Sequence, residues 1–201
     1  MKQVSLAEAS VLLKKGDVGI LPTDTLYGLV ASALDREAVE RVYHIRGRDE
    51  GKPCIVLIGG MDVLASFGIV LSDEERITLS LLCPGKVSVI LSCPDERFAY
   101  LHRGTETIAF RVPDKSDLRE LLRETGPLIA PSANPQGMPP AKTIEEAEEY
   151  FGGGVDFYVP KDMKYIDESQ HLYIDLKAGK QKLNGAQVVQ FLLYRHDDLG
   201  D

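Results

Sequence analysis

Short apolar runs alternate along this chain with amphipathic segments that carry their own helix-start signals, and this alternation restricts the fold more than any other feature. Residues 18–21, 54–58, 87–91, 107–112, 128–130, 155–159 and 172–176 read as short, buried-type strands. Between them, Ser5 with Glu8, Ser72 with Glu75 and Thr143 with Glu146 have capping-box spacing. In that motif a hydroxyl and the carboxylate three residues on satisfy each other's backbone donors. Asp35 can cap a helix through Val39, Val42 and Ile45 that Gly47 ends, and Ser116 opens one carrying Leu118, Leu121 and Leu122. A last helix is expected from Gly185 onward. Strands alternating with helices imply an α/β layer fold. The step from 87–91 to 107–112 shows no helix, so those two strands are expected to be antiparallel. The fold class is therefore α/β, a twisted mixed sheet with flanking helices.

A chain of 201 residues, 44% of them hydrophobic, fits one domain over 1–201 with a core that forms without staples. Cys54, Cys83 and Cys93 are odd in number and contain no CxxC pair, so a disulfide framework or metal site is not expected. Cys54 and Cys83 read as small buried hydrophobes. No signal peptide and no membrane-length apolar run is visible, so no membrane association is expected and the default location is cytoplasmic. Lys and Arg total 23 against 31 Asp and Glu, a net charge of −8. Such a surface does not suit a general nucleic-acid or anionic-membrane binder, although it allows a local basic site.

Polar clusters follow several of the strands, where open α/β sheets bind ligands. Residues 22–29, PTDTLYGL, place Thr23, Asp24, Thr25 and Tyr27 just past the first strand, and a simple turn explains them equally well. Residues 44–53, HIRGRDEGKP, gather Arg46, Arg48 and Lys52 around glycines. A helix C-terminus favours cations by about 0.3–1 kcal/mol each. That explains Arg46 but not Arg48 or Lys52, which lie beyond the helix, and a triphosphate site is the better reading. Residues 129–137 carry Ser132 and Asn134, which suit phosphate contacts or a bound metal's water, although taken alone a turn is the better reading. Arg111 interrupts an apolar strand and needs a partner, either an internal carboxylate or that of a substrate. The chain has no Walker A pattern, no GxGxxG and no metal-ligand pattern among His44, His102, His171 and His196. A site of Thr, Arg, Lys, Ser and Asn suits phosphate chemistry, where alignment and charge neutralisation carry most of the catalysis.

These same motifs resemble, in order and spacing over roughly residues 5–160, the YrdC/TsaC-like threonylcarbamoyl-AMP synthase family. Residues 22–29 are similar to its PTDTVYGL opening, and Arg46-Gly47-Arg48 with Lys52-Pro53 to its KxR…KP element. Cys83-Pro84-Gly85 resembles its PG turn, Arg111-Val112-Pro113 its RxP strand end and Ser132-Ala133-Asn134 its SxN element. The resemblance implies a single-domain YrdC-like fold with a concave basic cleft. It implies condensation of L-threonine, bicarbonate or CO2, and ATP to threonylcarbamoyl-AMP and pyrophosphate, with Mg2+. Downstream threonylcarbamoyl-transfer proteins would pass the group to an adenosine beside the tRNA anticodon.

On this basis ATP would be held by Arg46, Arg48, Lys52, Thr107, Ser132 and Asn134, and L-threonine by Thr23, Thr25, Tyr27, Arg111 and Ala130. Arg46, Arg48, Ser132 and Asn134 would position the reactants, with no covalent catalytic residue and no metal ligand assigned to the protein. Binding of tRNA by this acidic chain is expected to be weak or indirect.

Some positions depart from the family pattern. Arg46 stands where Lys is usual, Leu57 where many members have His, and Pro140 near a frequent Ser. His171-Leu172 and Leu183-Asn184-Gly185 replace an ST-containing strand start and an Arg before Gly, with Lys180 or Lys182 as substitutes for that Arg. Two alternatives follow. One is an RNA-binding module using Arg41, Arg46, Arg48 and Lys52. The other is a diverged nucleotide-binding relative that takes another small acid.

Overall fold

The computed structural model describes residues 2–49, 51–160 and 172–176. Helix α1 (Leu6–Leu13) starts at a complete Ser5/Glu8 capping box and leads to strand β1 (Gly19–Pro22). Strand β2 (Tyr27–Ser32) turns back antiparallel on β1, with Ile20 opposite Leu29. Helix α2 (Arg36–Arg46) is capped by Asp35, whose carboxylate accepts from the Glu37 and Ala38 amides, and ends at Gly47 with φ 60°. Strand β3 (Val56–Leu57), a 3-10 segment (Met61–Phe67), helix α3 (Asp73–Leu82) and strand β4 (Val87–Ser92) follow. Then come helix α4 (Ala99–His102), strand β5 (Thr107–Arg111), helix α5 (Ser116–Thr125) and strand β6 (Leu128–Ile129). Helix α6 (Ile144–Phe151), strand β7 (Phe157–Tyr158) and strand β8 (Leu172–Asp175) complete the described elements.

The described strands form an eight-stranded sheet in the order β7-β1-β2-β6-β3-β5-β4-β8. It is mixed: β1–β2, β2–β6, β3–β6 and β4–β5 are antiparallel, whereas β1–β7, β3–β5 and β4–β8 are parallel. The expected antiparallel pair is β4–β5, in register from Val89↔Phe110 to Ser92↔Thr107. Side chains alternate between faces along a strand. Ile20, Leu29, Val56 and Ile129 therefore pack on one side against α2 residues such as Val39 and Val42. Their neighbours Leu21, Val30, Leu57 and Leu128 pack on the other against Leu13 of α1 and Leu121 of α5. Burial on both faces is why these strands are continuously apolar.

Several elements differ from the sequence expectation. Strand β2 was not expected, because its apolar run follows a polar turn without a break. Runs 54–58 and 155–159 shorten to Val56–Leu57 and Phe157–Tyr158, since only those residues find ladder partners. Thr143 accepts from the Glu146 amide, but the Glu146 carboxylate bonds the Lys142 amide, so only half of that capping box forms. Helix α5 starts at Ser116 with Lys115 as its N-cap. Cys54 and Cys93 are buried, whereas Cys83 is only half-buried, its thiol pKa pushed up to about 11 by desolvation. The helix expected from Gly185, and His171, Lys180, Lys182 and Leu183, lie outside the described residues. No described helix is long and apolar enough to cross a membrane.

Candidate functional site

A cleft of about 350 Å³ opens where three segments meet: the β1–β2 turn, the loop after α2, and the chain following β6. The turn is built by Thr23. Its Oγ1 accepts from the Thr25 and Leu26 amides at 3.2 and 3.1 Å and donates to the Leu26 carbonyl at 2.6 Å. The same residue lines the cleft with Thr25 and Tyr27, so the turn reading holds and the motif also faces the cleft. Gly28 is needed here, because a Cβ would come within 2.9 Å of the Thr23 methyl.

Arg46, the last residue of α2, is buried at 8% exposure and lines the cleft. Its Nε donates to the Asn134 carbonyl at 2.9 Å, and its Nη2 donates to Ser132 Oγ at 2.9 Å and Asn134 Oδ1 at 3.2 Å. All three acceptors are neutral. Burial, and then the nearby Arg48 charge, push the Arg46 pKa down from its ordinary value. Arg48 folds back on its own loop, with Nε on the Lys52 carbonyl at 3.0 Å and Nη2 on the Pro53 carbonyl at 2.9 Å. Among the described residues neither arginine has a carboxylate ion-pair partner. Among the described residues no Asp or Glu lines the cleft. The result is two uncompensated guanidinium groups in a partly desolvated hollow, where an anionic ligand gains most.

Arg111, at the end of β5, also lines the cleft, but it is already paired. Its Nη2 donates to Asp24 Oδ2 at 2.6 Å, and both side chains are 4% exposed. Of the two partners open for this arginine, the internal carboxylate is present and is Asp24. Nη1 lies 3.5 Å from Thr25 Oγ1, which also faces the cleft.

The expected site residues Thr23, Thr25, Tyr27, Arg46, Arg48, Arg111, Ala130 and Ser132 are thus brought together. Three others are not. Asn134 is buried behind Arg46, with Nδ2 holding the Pro135 and Met138 carbonyls. The Lys52 side chain is exposed, and its residue contributes the carbonyl on which Arg48 and the Tyr43 hydroxyl converge. Thr107 lies at the opposite end of β5 from Arg111 and bonds Thr105. The basic group Arg41, Arg46, Arg48 and Lys52 is likewise dispersed: Arg41 is neutralised by Asp156 and Arg46 is internal. Cys54, Leu57, Ala109 and Pro140 line the cleft without having been expected as site residues. They are apolar walls, and a strand residue that faces a cleft has the same composition as one that faces a core.

The resemblance implies Mg2+. Among the described residues no group of three His, Cys, Asp or Glu could hold a metal ion. The cleft's own donors are hydroxyls and cations, so they do not fit a resident Mg2+ and no step is routed through one.

Fold and cleft first define a class: mixed-sheet α/β proteins with an arginine-lined hollow between a strand hairpin and a helix end. Within that class, the Sua5/YciO/YrdC family model, described as telomere recombination, matches residues 11–181, and the chain belongs to this family. It is 35% identical over 150 residues to a threonylcarbamoyl-AMP synthase of Bacillus subtilis, covering 73% of this chain and 43% of that protein. It is 32% identical over 181 residues to one of Marinobacter nauticus, covering 89% and 94%. The structure of Pyrococcus abyssi Sua5 complexed with L-threonine superposes with a TM-score of 0.74 at 26% identity, covering 85% of this chain and 50% of that one. The chain therefore spans less than half of the first of these relatives and nearly all of the second.

Proposed function

We propose that this chain is a threonylcarbamoyl-AMP synthase, joining L-threonine, bicarbonate or CO2, and ATP. Arg46 and Arg48, close to each other and with no counter-ion and no cleft-lining carboxylate among the described residues, carry the reading. The names of its family relatives agree with it. ATP would place its phosphates against Arg46 and Arg48, with Ser132 beside them, and bring Mg2+ as part of the substrate. Asn134 would act by holding Arg46. L-Threonine, with which the Pyrococcus relative is complexed, would sit against Thr23, Thr25, Tyr27 and Ala130, its carboxylate on the cleft side of Arg111. The threonine nitrogen, as the free amine, attacks CO2, which bicarbonate supplies by losing hydroxide, to give a carbamate, and the displaced amine proton passes to solvent. A carbamate oxygen then bonds the α-phosphorus as the α–β bridging P–O bond breaks and pyrophosphate leaves. The protein's part is alignment and charge neutralisation. The product is an activated mixed anhydride, suited to transfer onto a tRNA adenosine by partner proteins.

Pyrophosphate release that requires ATP, threonine and bicarbonate together is the expected result. Release independent of threonine, or none from folded protein, would overturn the proposal. Arg48→Ala tests the phosphate side. Arg48 is half-buried, and among the described residues it bonds loop carbonyls and lies at the edge of cation–π range of Tyr43, so its loss should change stability by less than about 1 kcal/mol. The KM for ATP should rise tenfold or more, on the order of one charge-assisted hydrogen bond. Unchanged ATP kinetics would remove Arg48 from the site.

A further inference from the structure

We infer that Lys115 is a positioning residue for the threonine half of the cleft, an inference that rests on the function proposed above. Lys115 does not line that cleft. It faces a separate cavity of about 160 Å³ on the other side of Pro22, lined also by Val4 and Leu118. From there its Nζ donates to the Pro22 carbonyl at 2.7 Å and to the Thr23 carbonyl at 3.2 Å.

These carbonyls belong to the two peptide planes that flank Thr23. Fixing both planes fixes φ and ψ of Thr23 together, because those are the only soft backbone dihedrals between them. The Thr23 side chain enters the cleft, and its Oγ1 lies 3.3 Å from Thr25 Oγ1. One ammonium thus sets the direction of two hydroxyls through the backbone.

A lysine suits this task, since an ammonium offers three donors that can satisfy carbonyls at different angles. Its anchorage is firm. Lys115 is the N-cap of α5, and the adjacent Asp114 amide bonds Asp24 Oδ2 at 3.2 Å. That contact ties the same loop to the same turn a second time. The phosphate side of the cleft has its own supports, through Asn134 and the Lys52 carbonyl, and none of those runs through Lys115.

Lys115→Met keeps the aliphatic stem and removes the ammonium. For pyrophosphate release, the KM for threonine should rise roughly tenfold while the KM for ATP stays within about twofold. Lys115→Arg should recover part of the loss. Calorimetric titration with threonine and with ATP should show the same split, with thermal unfolding recorded alongside. An unchanged threonine KM, or equal rises in both KM values with a fall in stability, overturns the inference and makes Lys115 a structural residue only. Wild-type protein that binds threonine but releases no pyrophosphate fails the proposed function and leaves this inference to the titration. Wild-type protein that binds no threonine overturns both.

Discussion

Arg46→Ala should lower pyrophosphate release by two to three orders of magnitude, on the order of what removal of a preorganised charge from a reaction site costs. The change in folding stability should be much smaller. Two effects oppose each other. Removing the guanidinium leaves the Asn134 carbonyl, Asn134 Oδ1 and Ser132 Oγ without their donor, at about 1–3 kcal/mol for each acceptor that water cannot reach. It also removes a buried charge with no counter-ion among the described residues, which relieves a desolvation cost of several kcal/mol. The net change should stay within about 2 kcal/mol by urea unfolding. Arg46→Lys separates charge from shape. An ammonium keeps the attraction for phosphate but cannot span Ser132 and Asn134 as the planar fork does. The lysine variant should therefore retain turnover with an ATP KM raised less than about tenfold. An alanine variant with wild-type kinetics would show that the uncompensated guanidinium is not part of the phosphate site.

The local parts of this structure were legible in the sequence because they are made by residues three or four apart. Ser5 with Glu8 and Ser72 with Glu75 form complete capping boxes, and Gly47 supplies the left-handed residue that ends α2. The antiparallel sense expected of β4 and β5 holds, but the step between them is not helix-free as expected: the short helix α4 (Ala99–His102) lies in it, too brief to show in the sequence pattern. Strand β2 was not legible. The polar turn before it drew attention to chemistry, and a hydroxyl such as Thr23 that makes a turn looks the same in sequence as one that meets a ligand. Partners far apart in sequence were also hidden. Nothing local says that Arg111 meets Asp24, or that Lys115 reaches the carbonyls of Pro22 and Thr23. Side chains that the pattern put at the end of a helix or strand, Arg46 and Arg111, do line one cleft. Lys52 is exposed and Thr107 sits at the far end of β5 from Arg111, and only the course of the chain decides that.

The Asp24–Arg111 pair is the other place where a single change should have a large effect. Asp24→Ala leaves Arg111, 4% exposed at its side chain, without the carboxylate that neutralises it. Breaking a buried pair from one side costs about 3–5 kcal/mol, because the surviving charge stays desolvated. Urea unfolding should show a loss of that size, together with loss of threonine-dependent pyrophosphate release. A loss below about 1 kcal/mol would mean that the pair is open to water and contributes as little as a surface ion pair. The double variant Asp24→Leu with Arg111→Met then distinguishes stability from function. Replacing both charges by apolar side chains removes the desolvation cost along with the attraction, so stability should return to within about 1–2 kcal/mol of the wild type. Among the described residues Asp24 Oδ1 has no hydrogen-bond partner, which makes the native pair less favourable than its short contact suggests. Activity should not return, because the leucine and methionine offer no charge for a substrate carboxylate and no fixed neighbour for Thr25. A double variant that regained both stability and turnover would show that the pair serves folding alone. If only stability returns, the fold tolerates an apolar pair at this position, and the demand for an ionic one comes from what the cleft binds.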